Sequence, residues 1–251
     1  MTLLPRIALA GALFAAASAP ALAFDEAQKN EIRGVVREYL IQNPDVLYEA
    51  QQEWNRRQQA KLAEKRDATL KNYVAKLDQS KLHAVLGNPK GDVTLLEFFD
   101  YNCGFCRRAI KDIDKLVDSD PKLRVVVMEL PVIREESVGA AQVSIAVNRI
   151  APEKFRAFHD KLLGQQALAT RDKAMAVAKE LGVDPAKLTA AMTAPEVEAT
   201  LMESKELADD LGVEATPTYV IGDAVVPNTT RVVDDLTGRI AALRKCGKAM
   251  C

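Results

Sequence analysis

The stretch that decides the fold carries two cysteines between a predicted strand and a predicted helix: Glu97-Phe98-Phe99-Asp100-Tyr101-Asn102-Cys103-Gly104-Phe105-Cys106-Arg107-Arg108. The apolar run Val93-Thr94-Leu95-Leu96 leads into it and is typical of a buried strand, whereas the residues after Cys106 have helical periodicity. We therefore expect Cys103 and Cys106 at the point where a strand is followed by a helix.

This position favours thiolate chemistry at Cys103. The first turn of a helix has unpaired backbone N–H groups and the positive end of the helix dipole, which stabilise a thiolate relative to its thiol. The thiolate is the species that attacks disulfides. Cys106 follows about one helical turn later, where it can attack a mixed disulfide at Cys103 and release the partner. The same spacing also serves zinc sites and structural disulfides, so the motif alone leaves these alternatives open.

A second element strengthens the redox interpretation: Gly212-Val213-Glu214-Ala215-Thr216-Pro217-Thr218-Tyr219-Val220-Ile221. Here Thr216-Pro217 opens an apolar run, and proline is tolerated at the first position of a strand but not inside it. With both motifs at this separation, residues 81–245 resemble the DsbA-like branch of the thioredoxin superfamily.

The resemblance implies roles for the matching residues. Cys103 is the exposed nucleophile, Cys106 is the resolving thiol, and Thr216-Pro217 is a cis-proline loop that pairs with the backbone of a substrate. Glu97 matches the buried acid of the family, and we expect it to relay a proton to Cys106. The alternative for Glu97 is a side chain that reaches the sheet edge or pairs with a lysine.

Phe105 lies between the two cysteines, and we expect it to be exposed. Together with Thr216 and Pro217, it is the predicted contact surface for apolar groups of an unfolded substrate.

The first 23 residues have the layout of a secretory signal peptide. Arg6 is their only charge, an apolar run extends from Ile7 to Ala17, and Ala21-Leu22-Ala23 provides a small-residue end with cleavage after Ala23. The apolar run is too short for a membrane span, and no later segment approaches the required length. We therefore expect an exported, periplasmic protein in a compartment where disulfides persist.

The charge balance gives no indication of a nucleic-acid or membrane-surface partner. Of the 34 Lys and Arg residues, Arg6 is lost with the signal peptide, which leaves 33 against 35 Asp and Glu and a net charge of −2. The hydrophobic content of 48% is ordinary for a globular protein. The remaining length suffices for one core and an appendage.

Residues 24–80 are predicted to form a helical arm. A first helix extends from Asp25 to Asn43, and a second runs from Asp45 to about Leu77 without Gly or Pro. Because the apolar stripe of the second helix is narrow, we expect it to project into solvent or to pack on another chain. The arm resembles the extension of ScsC-type relatives, which implies a homo-oligomer. A solvated helix that leans on its own domain is the alternative.

The rest of the pattern predicts an α/β protein with a thioredoxin fold and a helical insertion. Strands are expected at 81–87, 92–100 and 123–131, and the redox helix between the last two makes a parallel βαβ unit. The predicted divisions are a first thioredoxin part, the Ala-rich helical insertion that the resemblance implies, and a second thioredoxin part with a closing helix: residues 81–133, 134–212 and 213–251.

Cys246 and Cys251 lie at the end of the chain. Separated by five positions across a Gly, they are predicted to close a small structural disulfide loop. A metal clip and a second redox relay are alternatives, although no further ligands stand nearby and we expect no metal site. His83 and His159 are expected to be ordinary packed or surface residues.

The combined expectation is an oxidoreductase of protein disulfides that needs no cofactor beyond the Cys103–Cys106 pair. Gly104-Phe105 places no cation between the cysteines, so we expect a thiol pKa at Cys103 above the value of roughly 3.5 known for DsbA and a weaker oxidant. Gly-aromatic between the cysteines and Thr before Pro217 resemble the isomerase DsbC. Isomerase or reductase activity is therefore our first hypothesis.

The alternatives are a dithiol oxidase of DsbA type and a copper-handling or chaperone binding protein whose cysteines bind Cu(I). For the enzyme, the expected partners are unfolded or misoxidised exported proteins and a redox partner protein that reduces or oxidises the pair.

Overall fold

The computed structural model describes residues 24–228 and 232–251, and the predicted signal peptide lies outside the described residues. Helix α1 spans Glu26–Gln42 and α2 spans Asp45–Ser80. No helix in the described part of the chain is both long enough and apolar enough to cross a membrane.

The chain divides into two compact units between Arg56 and Arg57, inside α2. In the first unit, Asp25 caps α1: its carboxylate accepts a hydrogen bond from the Gln28 N–H at 2.8 Å, and the Gln28 side chain accepts one from the Asp25 N–H at 3.0 Å. No residue of α1 is buried. The large exposed apolar side chains of this unit include Ile32, Val35, Val36, Tyr39, Leu47, Tyr48 and Trp54.

The second unit includes the C-terminal part of α2, which packs against the sheet. Tyr73 and Leu77 are each only 3% exposed and share a hydrophobic cluster with Leu96 and Val126. The expectation that the whole helix projects into solvent or packs on another chain is therefore wrong for this part. The reason is that Leu70, Tyr73, Val74 and Leu77 form a local i, i+3, i+4, i+7 stripe, whereas the preceding turns are polar.

The sheet has five strands in the order β1-β3-β2-β4-β5. Strands β2 and β3 are parallel and joined through α3, as the βαβ pattern predicts, and the other neighbours are antiparallel. The strands are Ala84–Gly87 (β1), Val93–Phe99 (β2), Leu123–Glu129 (β3), Thr218–Ile221 (β4) and Ala224–Pro227 (β5), and α3 is Gly104–Ser119.

The predicted helical insertion consists of five α-helices and one short 3₁₀ turn, Pro152–Lys154, within the described residues. Asp184 caps one of them by accepting hydrogen bonds from the Ala186 and Lys187 N–H groups, and Pro185 occupies its first position. These helices are Glu135–Ile150 (α4), Phe155–Leu163 (α5), Arg171–Glu180 (α6), Pro185–Met192 (α7) and Pro195–Leu211 (α8), and the closing helix is Val232–Cys246 (α9).

The sheet separates two hydrophobic clusters. Side chains alternate along a strand, so Leu95 and Phe99 of β2 face the cluster with α3 and the insertion, whereas Leu96 and Phe98 face the cluster with α2 and α8. The hairpin between β4 and β5 turns at Gly222, whose positive φ of +57° favours glycine. The face of the sheet that carries Leu95 and Phe99 therefore packs against α3 and the two cysteines at its N-terminal end.

Two strands begin two or more residues later than the sequence predicts. β1 begins at Ala84 rather than residue 81, because α2 continues to Ser80 and Lys81 has a positive φ of 51°. The apolar run that Thr216-Pro217 opens becomes strand β4 only from Thr218, because Thr216 and Pro217 take no part in the strand pairing.

Candidate active site

Cys103 occupies the N-cap position of α3. Its backbone is extended, with φ −81° and ψ 116°, and its sulfur accepts a hydrogen bond from the Cys106 N–H at 3.4 Å. The Cys103 N–H in turn donates to the Asp100 carbonyl at 3.0 Å. The strand-to-helix position predicted for the pair is therefore present, and both cysteines are free thiols.

The tertiary structure brings the two distant motifs together. The Thr216–Pro217 peptide bond is cis, and the Cys103 thiol donates a hydrogen bond to the Thr216 carbonyl across 3.1 Å. These residues are 113 positions apart in the sequence. The loop predicted to lie beside the redox pair thus contacts the sulfur directly.

Cys103 is not the exposed residue that the family resemblance implies, since its exposed fraction is only 4%. The expectation is wrong because the Thr216 carbonyl and the first turn of α3 enclose the sulfur. The residues that follow, Gly104 and Phe105, are exposed, so the sulfur borders an accessible segment. Phe105 is 58% exposed, as expected, and the Arg108 guanidinium lies 4.4 Å from the centre of its ring.

The surroundings of Cys103 stabilise its thiolate. A hydrogen bond from the Cys106 thiol, followed by interactions with the Thr216 side chain and the N–H groups of Phe105 and Cys106, lowers the pKa of Cys103 to about 5 against the opposing effect of burial. This value lies above the roughly 3.5 of DsbA, in the direction predicted. The sequence reasoning anticipated the helix N–H groups but not the Cys106 thiol.

Cys106 keeps its proton. Its side chain is fully buried, and burial, together with the hydrogen bond to Cys103, raises its pKa far above the ordinary range. The two sulfurs are therefore chemically distinct: Cys103 ionises first, and Cys106 needs a base before it can react.

Glu97 is a buried acid of the sequence motif. It lies in the middle strand β2, 2% exposed, which excludes the alternative that its side chain reaches a sheet edge. Burial, followed by the charges of Asp114 and Cys103, raises its pKa to about 8, and the Tyr219 hydroxyl opposes this shift. A carboxyl group with such a pKa exchanges a proton near neutral pH.

Two polar residues of the active-site loop were not identified as site residues from the sequence. The Asp100 carboxylate accepts hydrogen bonds from the Asn102 N–H at 2.7 Å and the Ile133 N–H at 2.8 Å. The Asn102 side chain donates to Ser137 Oγ and the Ala169 carbonyl at 3.0 Å, and accepts from the Ala169 N–H at 2.8 Å. The loop before Cys103 is thereby held to the helical insertion. The sequence does contain a signal for this role, since Asp and Asn next to the motif are typical of a turn held by side-chain hydrogen bonds.

Tyr101 also ties this loop to the helical insertion, through hydrogen bonds of its buried hydroxyl. Its hydroxyl lies 2.7 Å from Ser144 Oγ and 3.2 Å from His159 Nδ1, and Ser144 donates to Glu129 Oε1 at 2.5 Å. Burial lowers the pKa of His159 to about 4, so this histidine is neutral and packed, as expected. His83 is also buried, and its Nε2 lies 3.3 Å from the Glu203 carboxylate.

The structure joins Cys246 to Cys251 in a disulfide. The Ala249 N–H inside this loop donates to the Asp223 carboxylate at 2.8 Å, which ties the chain end to the β4–β5 hairpin. Within residues 24–228 and 232–251, no cluster of three or more His, Cys, Asp or Glu side chains is arranged to hold a metal ion.

Comparison with known proteins identifies the family. The family described as DSBA-like thioredoxin domain matches residues 94–240, more than half of the chain. The chain belongs to this DsbA-like family. Its α/β thioredoxin fold with a helical insertion and its class as a protein disulfide oxidoreductase are thereby confirmed. The ScsC N-terminal domain of copper resistance proteins matches residues 28–61 of this DsbA-like protein. Among curated proteins, none matches.

Solved structures agree with this assignment. A thioredoxin-like oxidoreductase from Silicibacter pomeroyi is 41% identical, with a TM-score of 0.61, and the match covers 65% of this chain and 93% of that one. ScsC from Proteus mirabilis, in a transitional conformation, is 28% identical over 86% and 94% of the two chains, with a TM-score of 0.61. The thiol-disulfide exchange protein alpha-DsbA2 from Wolbachia pipientis is 25% identical over 71% and 97%, with a TM-score of 0.63.

Proposed function

We propose that this protein exchanges disulfides in exported proteins through Cys103 and Cys106, and that it works as an isomerase or reductase. The observation that carries the proposal is the asymmetry of the two sulfurs. Cys103 lies at a helix N-terminus beside the Thr216–Pro217 loop and has a pKa of about 5, whereas Cys106 is buried and protonated. This is the arrangement that a nucleophile and a resolving thiol need.

The reaction follows from this asymmetry. The Cys103 thiolate attacks one sulfur of a substrate disulfide, a mixed disulfide forms, and the other substrate sulfur leaves as a thiolate. Cys106 then loses its proton to the Glu97 carboxylate and attacks the Cys103 sulfur. The Cys103–Cys106 disulfide forms, and the substrate leaves fully reduced with the two electrons of the dithiol. No cofactor takes part in this scheme.

Isomerisation uses only the first half of the reaction. A substrate thiol attacks the mixed disulfide, Cys103 returns as a thiolate, and the substrate keeps a rearranged disulfide. This outcome requires that the dithiol form persists. A Cys103 pKa of about 5 supports it, because a thiolate stabilised less than in DsbA makes the oxidised form a weaker oxidant.

The substrate surface is proposed to include Phe105, Thr216 and Pro217. Phe105 presents an exposed aromatic ring directly after the nucleophile, which suits apolar segments of unfolded or misoxidised proteins. The Thr216 carbonyl lies 3.1 Å from the Cys103 sulfur and loses the thiol donor once Cys103 ionises, which leaves it available to a substrate backbone. A redox partner protein that reduces the pair after each cycle is part of the proposal.

A periplasmic site of action is proposed on two grounds. The sequence predicts an export signal in residues 1–23, and a periplasmic thioredoxin-like protein from Salmonella enterica is 28% identical, with a TM-score of 0.57.

We also propose that the arm, residues 24–80, mediates self-association. The support is the exposed apolar surface of its first unit, which includes Val35, Val36 and Tyr39. Light scattering on the mature protein tests this. We expect an oligomer that dissociates in the double variant Val35→Lys, Tyr39→Lys and persists in Met202→Lys, a matched exposed site on α8. A monomeric wild-type protein would contradict the proposal.

The experiment that tests the enzymatic proposal is the recovery of activity from scrambled ribonuclease in a glutathione buffer. We expect the wild-type protein to catalyse recovery and Cys103→Ser to be inactive. Cys106→Ser should retain isomerisation but accumulate mixed disulfides, because it cannot resolve them. Activity of the Cys103→Ser variant equal to wild type would refute the assignment.

Copper handling is the second candidate, and the match of residues 28–61 to the ScsC N-terminal domain favours it. Titration of the reduced protein with Cu(I), in competition with a chelator and with Cys103→Ser as control, tests this function. Tight binding that depends on Cys103, together with no disulfide exchange, would make binding the function.

A further inference from the structure

Tyr219 carries a buried hydroxyl that the exchange reaction described above does not use. It lies on β4 directly opposite Glu97 of β2, and its side chain is fully buried. Its hydroxyl makes no hydrogen bond of good geometry in the part of the chain that the structure describes, but it lies close enough to the Glu97 carboxyl group to lower the pKa of that group. Buried polar atoms are nearly always paired, so an unpaired one needs a physical explanation.

Tyr219 shares its face of the sheet with the redox pair. Leu95, Phe99 and Tyr219 belong to the same cluster as Cys103 and Cys106. Because side chains alternate along β2, Glu97 points to that face as well. The phenol, the carboxyl group and the resolving thiol therefore lie together beneath α3.

The hydroxyl of Tyr219 keeps its proton under all physiological conditions. Burial, followed by the charges of Glu97 and Cys106, raises its pKa well above the usual range of tyrosine. It is therefore available as a hydrogen-bond donor, and the buried group whose charge acts on it most strongly is Glu97.

We propose that Tyr219 is a positioning residue for the resolving step, and that its hydroxyl donates a hydrogen bond to the Glu97 carboxylate. The proposal rests on the proposed function of Cys103 and Cys106. The hydrogen bond stabilises the ionised form of Glu97 and so maintains a base that can accept the Cys106 proton. The hydrogen bond strengthens when Glu97 ionises, because a carboxylate is a better acceptor than a protonated carboxyl group.

The proton and the electrons balance in this step. The Cys106 S–H bond breaks and its proton moves to Glu97, the Cys106 thiolate forms a bond to the Cys103 sulfur, and the Cys103–substrate bond breaks. The substrate sulfur leaves with the electron pair of that bond. Tyr219 keeps its own proton throughout.

Other groups act on the same pair and set the background for any pH profile. From β3, the residue paired with Glu97 is Val127, which is apolar. From α9, Leu236 and Ile240 enter this core. The titratable groups whose charges act on Glu97, Tyr219 or both are Cys103, Cys106, Asp112 and Asp114, and Tyr101 lies within range of Glu97.

The first test measures the titration of Glu97 by NMR on protein labelled at the glutamate carboxyl carbons. The Glu97 signal is assigned from its absence in the Glu97→Gln variant. In Tyr219→Phe, loss of one donor should raise the pKa of Glu97 by about 1 unit. The matched control is Tyr73→Phe, because Tyr73 is also a buried tyrosine whose hydroxyl makes no hydrogen bond of good geometry, but it lies in the cluster on the opposite face of the sheet. An unchanged titration in Tyr219→Phe, or an equal shift in Tyr73→Phe, would overturn the proposal.

The second test is the rate at which Cys106 resolves a mixed disulfide between Cys103 and a thionitrobenzoate group, measured by stopped flow. At pH 7, Tyr219→Phe should resolve about tenfold more slowly, since about tenfold less Glu97 is ionised, and the difference should vanish at pH values above both titrations. In a Glu97→Gln background, Tyr219→Phe should add no further loss. Equal slowing at every pH would show a structural effect and would overturn the proposal.

The two tests separate this proposal from the proposed function. If the wild-type protein failed to exchange disulfides, the proposed function would be wrong, yet the NMR titration would still decide whether Tyr219 acts on Glu97.

Discussion

The reduced protein should gain stability with rising pH because of the Cys103 thiolate. An ordinary cysteine has a pKa of about 8.5, and in the folded protein the pKa of Cys103 is about 5. The folded state therefore releases the proton first. The stabilisation is complete above about pH 8.5, declines as the pH falls, and is absent below about pH 5.

The magnitude follows from the shift. Each pKa unit corresponds to about 1.4 kcal/mol, so the full contribution is about 5 kcal/mol and the part present at pH 7 is about 3 kcal/mol. These figures are upper bounds, because the exposed residues Gly104 and Phe105 adjoin the sulfur and solvent screening reduces the contribution of a charge near the surface.

The assay is urea unfolding of the reduced protein between pH 4.5 and 8.5, compared with Cys103→Ser. The difference between their free energies of unfolding should increase from pH 4.5 to 7, by at most about 3 kcal/mol. Circular dichroism is the appropriate probe, because the single tryptophan, Trp54, is exposed. The oxidised wild-type protein is the matched control, since its Cys103 does not titrate and the increase should be absent. A pH-independent difference between the reduced protein and Cys103→Ser would refute the thiolate account.

Three further perturbations have expected outcomes. The pKa of Glu97 is raised to about 8, so this residue destabilises the folded state as the pH rises above about 4.3. The free energy of unfolding of Glu97→Gln, measured by urea unfolding, should therefore increase by a few kcal/mol relative to wild type between pH 4 and 7. No increase would contradict a buried acid at this position. Leu77→Ala should lower the free energy of unfolding by about 2–5 kcal/mol, whereas the exposed Leu47→Ala should change it little; equal effects would contradict the packing of α2 on the sheet. Asn102→Ala removes three hydrogen bonds and should lower the free energy of unfolding by about 1–3 kcal/mol, which is measured as a lower melting temperature. An unchanged melting temperature would show that other contacts hold the loop.

The part of the site that could be predicted from sequence is local. A Cys-x-x-Cys motif after an apolar run fixes a thiol at a helix N-terminus, and the direction of its pKa shift follows from the backbone N–H groups there. The cis conformation of the Thr216–Pro217 bond was predicted through the family resemblance, since the residues alone give no cis bond.

The exposure of Cys103 was predicted wrongly for a physical reason. Whether a side chain is covered depends on which distant segment packs on it, and the Thr216 carbonyl comes from 113 positions away. The same holds for Asn102, whose partners lie 35 and 67 positions along the chain. Single-sequence patterns carry no information about such partners.

Helix α2 shows that an apolar pattern averaged over a long helix can miss a short buried segment. The apolar stripe of α2 is sparse over its whole length, but its last turns concentrate apolar residues and pack on the sheet. A periodicity read over a long helix hides a short stripe, and burial is decided turn by turn.

The sequence by itself determined the order of strands and helices, the chemistry of the Cys103–Cys106 motif and the family, because hydrophobic periodicity and turn residues act over a few positions. Only the tertiary structure decided what surrounds the two sulfurs: the covering carbonyl of Thr216, the burial that raises the pKa of Glu97, and the opposed hydroxyl of Tyr219. Those properties depend on desolvation and on contacts between residues far apart in the chain, and they exist only once the sheet and its helices have packed.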